Sequence, residues 1–215
     1  SENFNTVLYS GNGSTQSIAT DLDPDWVWVK GRSHATSHIT VDAVRGDKQL
    51  VTNSTSAEAD LSSHFNLTTT GFNLLSSTTG LNASGRTYVA WNWKANGSGS
   101  SNTDGDVTST VSANVDAGFS IVTYTGTGTN GSTIGHGLSK APDIVIVKRR
   151  NTTGSWYANV KNIPSQSAGT DMVAVLNNTT ALNGYNVGQW YFAGTAPNAS
   201  TFTVQGVASV GANND

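Results

Sequence analysis

Paired aromatic residues are the side chains in this sequence best suited to hold a ligand. Trp156-Tyr157 and Trp190-Tyr191 fall in or beside loop-like sequence. An exposed aromatic face stacks on the apolar face of a sugar ring, and its polar tip stays in water. The competing reading is packing in a core or an interface, and it weighs more heavily. Trp26, Trp28, Trp91 and Trp93 lie in strand-like runs and are expected in the core. Asn102, Asp104 and Asp106 have the alternating oxygen donors that open a calcium loop, but no distal bidentate Glu follows. They form a weak calcium candidate, and no cofactor is implied.

Catalytic chemistry is harder to build. His34 and His38 have the i, i+4 spacing of helical zinc ligands, but the segment Gly31 to His38 reads as a strand-exit loop without an acidic partner. Ser is abundant, yet no Gly-x-Ser-x-Gly elbow marks a nucleophile. Asp21, Asp23 and Asp25 cluster before an apolar run, and paired carboxylates of this kind hydrolyse glycosides. Only Asp25 has a counterpart in the repeat described below, Asp143, which favours a structural turn. The sequons at Asn53, Asn66, Asn82 and Asn151 are what an Asn/Ser/Thr-rich chain produces by chance. The chain contains no cysteine, so disulfides and thiolate chemistry are excluded.

The elements that must position these residues are strands, and they come twice. Phe4 to Gly13 matches Phe119 to Gly128, and Pro24 to Arg32 matches Pro142 to Arg150. Asn53 to Ala57 matches Asn177 to Ala181, and Gly71-Phe72 matches Thr201-Phe202. The separation grows from one pair to the next, as it does when insertions after a duplication fall in loops. The runs Trp26 to Val29 and Ile144 to Val147 are apolar at every position, the pattern of a strand buried on both faces. Thr87 to Trp93 is another strand, with Tyr88 and Ala90 on one face and Val89, Trp91 and Trp93 on the other. Helix signals are scarce; Ser56 to Ser63 has room for one short turn.

The expected fold is all-β: two tandem homologous β-sandwich (jelly-roll-like) domains, the second lacking its last strand. The first repeat spans 1–95, a Gly/Ser/Asn linker spans 96–105, and the truncated second repeat spans 106–215. The 215 residues carry a net charge of −3 with only 12% charged side chains, so no basic surface suits a phosphate backbone. No apolar run reaches the ~20 residues a membrane helix needs. Nucleic acid and membrane insertion are therefore not expected.

Three linked motifs carry a family resemblance. They are Phe-x-x-Val-x-Tyr-Ser/Thr-Gly, Pro-Asp-x-Val-x-Val-Lys-x-Arg, and the Asn82 to Trp91 segment Asn-Ala-Ser-Gly-x-Thr-Tyr-Val-Ala-Trp. With the junction Asn102 to Asn114, this order resembles a domain of tail-fibre and other virion proteins of marine and cyanobacterial phages. The resemblance covers essentially the whole chain and departs from the pattern after Asp215. It implies a virion or extracellular location and a non-enzymatic structural or host-contact role. It also implies other virion chains as partners, with homo-oligomer formation. Carbohydrate binding to a host-surface glycan is the alternative, and a tailspike-type glycosidase is the third option.

Overall fold

In the computed structural model the described residues are 1–160, 172–179 and 195–206. Every regular element among them is a strand, and every strand-to-strand ladder is antiparallel. The chain divides into two compact units. Unit 1 is Ser1–Ser54 with Glu58–Gly99, and unit 2 is Thr55–Ala57 with Ser100–Asp215.

Unit 1 holds β1 (Phe4–Ser10), β2 (Gln16–Ala19), β3 (Trp26–Gly31), β4 (His38–Asp42), β5 (Gly46–Val51), β6 (Ala59–Asp60), β7 (Phe65–Thr68), β8 (Gly71–Leu74) and β9 (Thr87–Trp93). They form a six-stranded sheet in the order β1-β9-β3-β4-β5-β6 and a three-stranded sheet in the order β2-β8-β7. One face of the larger sheet contributes Tyr9, Val27, Val29, Ile39, Val41, Tyr88 and Ala90 to a single core. The smaller sheet contributes Ile18, Phe65, Phe72 and Leu74 to it. Two sheets sharing one apolar interior make the unit β-sandwich-like. Phe65 and Phe72 are stacked at 5.1 Å and fully buried, and each such ring stabilises the fold by roughly 1.5–3 kcal/mol. Gly71 is required where it stands. Its φ is 149°, and a Cβ there would lie 2.0 Å from the Ile18 carbonyl oxygen.

The loop from Thr78 to Arg86 is fastened to this core by polar groups. Tyr9 and Tyr88 stack at 5.1 Å; their hydroxyls donate to the carbonyls of Leu81 and Thr79, and the Tyr88 oxygen accepts from Ala83 N–H. Asn82 is fully buried. Its Oδ1 accepts from Asn12 N–H and Gln16 Nε2, and its Nδ2 donates to the carbonyls of Ser14 and Ser76. At the other end of β3, the buried Asp25 carboxylate accepts from Ala95 N–H at 2.7 Å and Gly97 N–H at 3.1 Å. Its burial raises its pKa, against the lowering effect of those two bonds. Asp25 thus fastens the exit of β9 to the start of β3.

Unit 2 holds β10 (Ser100–Asn102), β11 (Ser109–Asn114), β12 (Phe119–Tyr124), β13 (Ser132–Gly135), β14 (Ile144–Lys148), β15 (Trp156–Val160), β16 (Met172–Val175) and β17 (Thr201–Val204). Its sheets are β10-β11-β12, β13-β17 and β14-β15-β16. Val107, Ile134, Phe202 and Val204 form its buried cluster, with Val122, Tyr124, Val145 and Val147 packed against it.

Three expectations change. The segment 96–105 is not wholly linker, since Ser100–Asn102 forms β10 and pairs with β11. The region around Ala59 and Leu61 has no helix; Ala59–Asp60 is β6, and a single turn closes on Leu61, whose carbonyl accepts from Phe65 N–H. β3 is not buried on both sides. Its valines are 1% exposed, whereas Trp26 and Trp28 are half-buried on the opposite face.

Replacing Asn82 with Ala removes four partly buried hydrogen bonds and empties the fully buried place of the carboxamide; such bonds contribute about 0.5–1.5 kcal/mol each. Chemical denaturation of N82A is expected to show unit 1 destabilised by about 3 kcal/mol or more. An exposed control, Ser17→Ala, is expected to change little.

Candidate aromatic binding face

The outer face of the larger sheet of unit 1 gathers five aromatic rings. Strand alternation decides this: in Trp26-Val-Trp-Val the valines point to the core, so the indoles must point away. In β9 the same parity places Trp91 and Trp93 outward, opposite Tyr88 and Ala90. Pairing then aligns them in rows across three strands. Phe4 faces Trp93, which faces Trp26; in the next row Thr6 faces Trp91, which faces Trp28.

The rings touch one another. Centroids lie 4.8 Å apart for Phe4–Trp93, 4.7 Å for Trp26–Trp93, 5.9 Å for Trp26–Trp28 and 6.0 Å for Trp28–Trp91. These are favourable aromatic separations, each worth about 0.5–1.5 kcal/mol beyond area burial. The four indoles are half-buried, and Phe4 is 38% exposed. Leu8 continues the apolar surface at 60% exposure.

A polar border runs along β3 and β4. The Trp28 indole N–H donates to Nδ1 of His38 at 3.1 Å. Lys30, paired with His38, donates to the Gly31 carbonyl at 2.7 Å. Asp42, the cross-strand partner of Trp26, is buried; it accepts from the backbone N–H groups of Val44 and Arg45 and pairs with Arg45 Nε at 2.5 Å. Arg45 also lies 3.7 Å from Glu58, which holds Lys48 at 3.3 Å. These charges are committed to one another. What the face offers a ligand is therefore chiefly ring surface, with indole and imidazole edges beside it.

The residues singled out from sequence fall elsewhere. Trp156 is not a loop residue: it opens β15 at 7% exposure, and its backbone N–H donates to Asn177 Oδ1. Tyr157 follows it in the same strand, half-buried. Trp190 and Tyr191 lie outside the described residues. Trp26, Trp28, Trp91 and Trp93, expected in the core, are instead the outer tract.

The Asn102, Asp104 and Asp106 side chains do not converge. Asn102 and Asp104 bond each other, while Asp106 accepts from the backbone and hydroxyl of Thr133. Among the described residues no group of three His, Asp or Glu side chains is arranged to hold a metal. His34 bonds the Thr79 carbonyl and meets the edge of Tyr88, and His38 sits on β4, so the two serve different places.

His38 makes the face sensitive to pH. Burial first, and Lys30 second, lower its pKa from the ordinary 6.5. A base depressed on folding loses stability as pH falls below its unfolded value, because the unfolded chain takes the proton first. Protonation at Nδ1 also removes the acceptor of the Trp28 bond. Acidification below about pH 6.5 is therefore expected to change Trp emission and lower the melting temperature of unit 1. His38→Gln is expected to remove that component of the emission change. A titration in which H38Q matches the parent would show that His38 is not its source.

No curated protein and no solved structure matches the chain. A family model described as a domain of unknown function, DUF7483, matches residues 1–215. The chain belongs to the DUF7483 family.

Proposed function

We propose that the chain is a non-enzymatic host-contact module of a phage tail-fibre-like virion protein, with the aromatic face of unit 1 as its surface for host polysaccharide. The observation that carries this reading is the tract of Phe4, Trp93, Trp26, Trp28 and Trp91 on one exposed sheet face. Contiguous apolar surface at a protein's exterior marks interaction sites. Contiguous rings with a small hydroxyl residue, Thr6, at the end of one row suit a sugar chain lying along the sheet. The virion setting, extracellular location and homo-oligomeric partnership come from the sequence resemblance alone.

The finer fold belongs to the same proposal: two tandem homologous β-sandwich, jelly-roll-like domains. Ladder register supports it. Phe72 faces Ile18 in unit 1, and its sequence counterpart Phe202 faces another isoleucine, Ile134, in unit 2. Lys30 faces His38, as Lys148 faces Trp156. Asn53 Oδ1 accepts from His38 N–H at 2.8 Å, and Asn177 Oδ1 accepts from Trp156 N–H at 2.7 Å. Preserved pairing at both ends of matched segments is what duplication predicts, since a one-residue slip would reverse every side chain.

Affinity electrophoresis through gels containing host-surface polysaccharides tests the binding role. The parent chain is expected to be retarded by at least one acidic or neutral polysaccharide. Trp26→Ala and Trp93→Ala are each expected to weaken binding about tenfold or more, the equivalent of about 1.4 kcal/mol, while remaining folded. Retention unchanged in both variants would remove the face from the function. Reproducible release of oligosaccharide, abolished by replacing a single carboxylate, would instead make the protein a glycosidase.

A further inference from the structure

The outer face of unit 1 has a third row beside the two that carry rings. There Leu8 faces Val89, Val89 faces Lys30, and Lys30 faces His38. Strand parity puts these side chains on the same side as Trp28 and Trp91. The first row ends in Asp42, whose carboxylate is balanced by Arg45. The third row ends in Lys30 and His38, and among the described residues no carboxylate lies within ion-pair distance of the Lys30 ammonium. One end of the tract is balanced in charge, and the other is positive.

Two donors stand together at the positive end. An ammonium has three N–H groups. Lys30 uses one on the Gly31 carbonyl at 2.7 Å and a second on Thr36 Oγ1 at 3.5 Å, which leaves the third. His38 supplies the other donor. The Trp28 indole can only donate, so Nδ1 of His38, 3.1 Å away, must accept. The proton of the neutral imidazole then sits on Nε2, which has no hydrogen-bond partner among the described residues. Residues directly opposed on neighbouring strands have Cβ atoms about 4.5–5.5 Å apart, so both donors can serve one small anionic group. Lys30 is near enough to help lower the His38 pKa.

We propose that this face selects acidic polysaccharides, with the carboxylate of a uronic acid residue held by Lys30 Nζ and His38 Nε2 while its sugar ring stacks on Trp28. The face of an indole is negative and its edge positive, so the anion belongs beside the ring and not over it. In a uronic acid the carboxylate projects from the rim of the sugar ring, which suits that placement. The apolar side of the sugar lies on the indole, and its charge reaches the border of the tract. Charge-assisted bonds from two nitrogens then decide which sugar is accepted, and ring contact supplies the rest of the affinity. The proposal rests on the sugar-binding reading of the same face and adds the class of sugar to it.

The test is calorimetric titration of the full chain with alginate, polygalacturonate and hyaluronate, each beside the same polymer with its carboxylates reduced to alcohols. At least one acidic polymer is expected to bind about tenfold or more tighter than its reduced form. Lys30→Met keeps the aliphatic stem and loses the charge, and is expected to bring the two forms within about twofold of each other. Lys140→Met makes the same change at an exposed position of unit 2 and is expected to keep the preference. In the unaltered chain, raising the ionic strength from about 0.05 M to about 0.5 M is expected to shrink the preference about threefold or more. Equal binding of both forms of every polymer would overturn the proposal and leave the sugar-binding reading standing. So would a preference that persists in K30M, is lost equally in K140M, or ignores salt. Dextran sulfate bound as tightly as the best uronate would also overturn it, because charge alone would then be recognised. Binding of no polymer at all, or binding indifferent to Trp26→Ala, would remove the sugar-binding reading itself and this proposal with it.

Discussion

The buried carboxamide of Asn82 is the interaction on which unit 1 most depends. A side-chain amide can make four hydrogen bonds, and in an apolar interior each unmade bond is costly. Here two are accepted and two donated, to the β1–β2 turn, to Gln16 and to the end of β8. One residue thereby fixes where the loop after β8 runs. That loop delivers the chain into β9, the strand that joins β1 to the rest of the six-stranded sheet. The stacked tyrosines Tyr9 and Tyr88 act at the same place, tying β1 and β9 to the loop through their hydroxyls. The same anchoring holds β9 where its ladders to β1 and β3 bring Phe4, Trp93 and Trp26 into one row.

The aromatic tract is a consequence of that register. Each indole is individually unremarkable on a strand, where aromatic residues are common. Their alignment on neighbouring strands is what builds a continuous surface, and their mutual contacts limit rotamer freedom before any ligand arrives. A surface already ordered loses less entropy on binding than one assembled by the ligand. The ion pairs around Asp42 and Arg45 hold the adjoining β4–β5 turn in place through both backbone and side chain.

Much of the architecture was legible because strand periodicity and repeat spacing are local signals. The shared face of Tyr88 and Ala90, the strand over the Pro-Asp-x-Val-x-Val-Lys segment and the structural use of Asp25 all follow from short stretches of sequence. The tryptophan face was not read correctly, although its signal was present. Trp26-Val-Trp-Val is apolar throughout, so hydrophobicity alone treats both faces as buried; residue size alternates, and the valines take the tightly packed side. The placement of Trp156 in or beside a loop differs from the structure for a related reason. Its neighbours Thr153 and Gly154 are loop-like, but Trp156 itself opens β15 opposite Lys148 of β14 and is buried.

The burial of Asn82 also bears on how the protein is made. Asn82-Ala-Ser84 has the form of an N-glycosylation acceptor, and oligosaccharyl transfer acts on the chain as it is synthesised. A glycan on Nδ2 would take one of the two donors that reach Ser14 and Ser76, and it is far too large for a site with no solvent access. Synthesis through a eukaryotic secretory route would thus compete directly with closure of unit 1. Production without glycosylation leaves the carboxamide free to take its place.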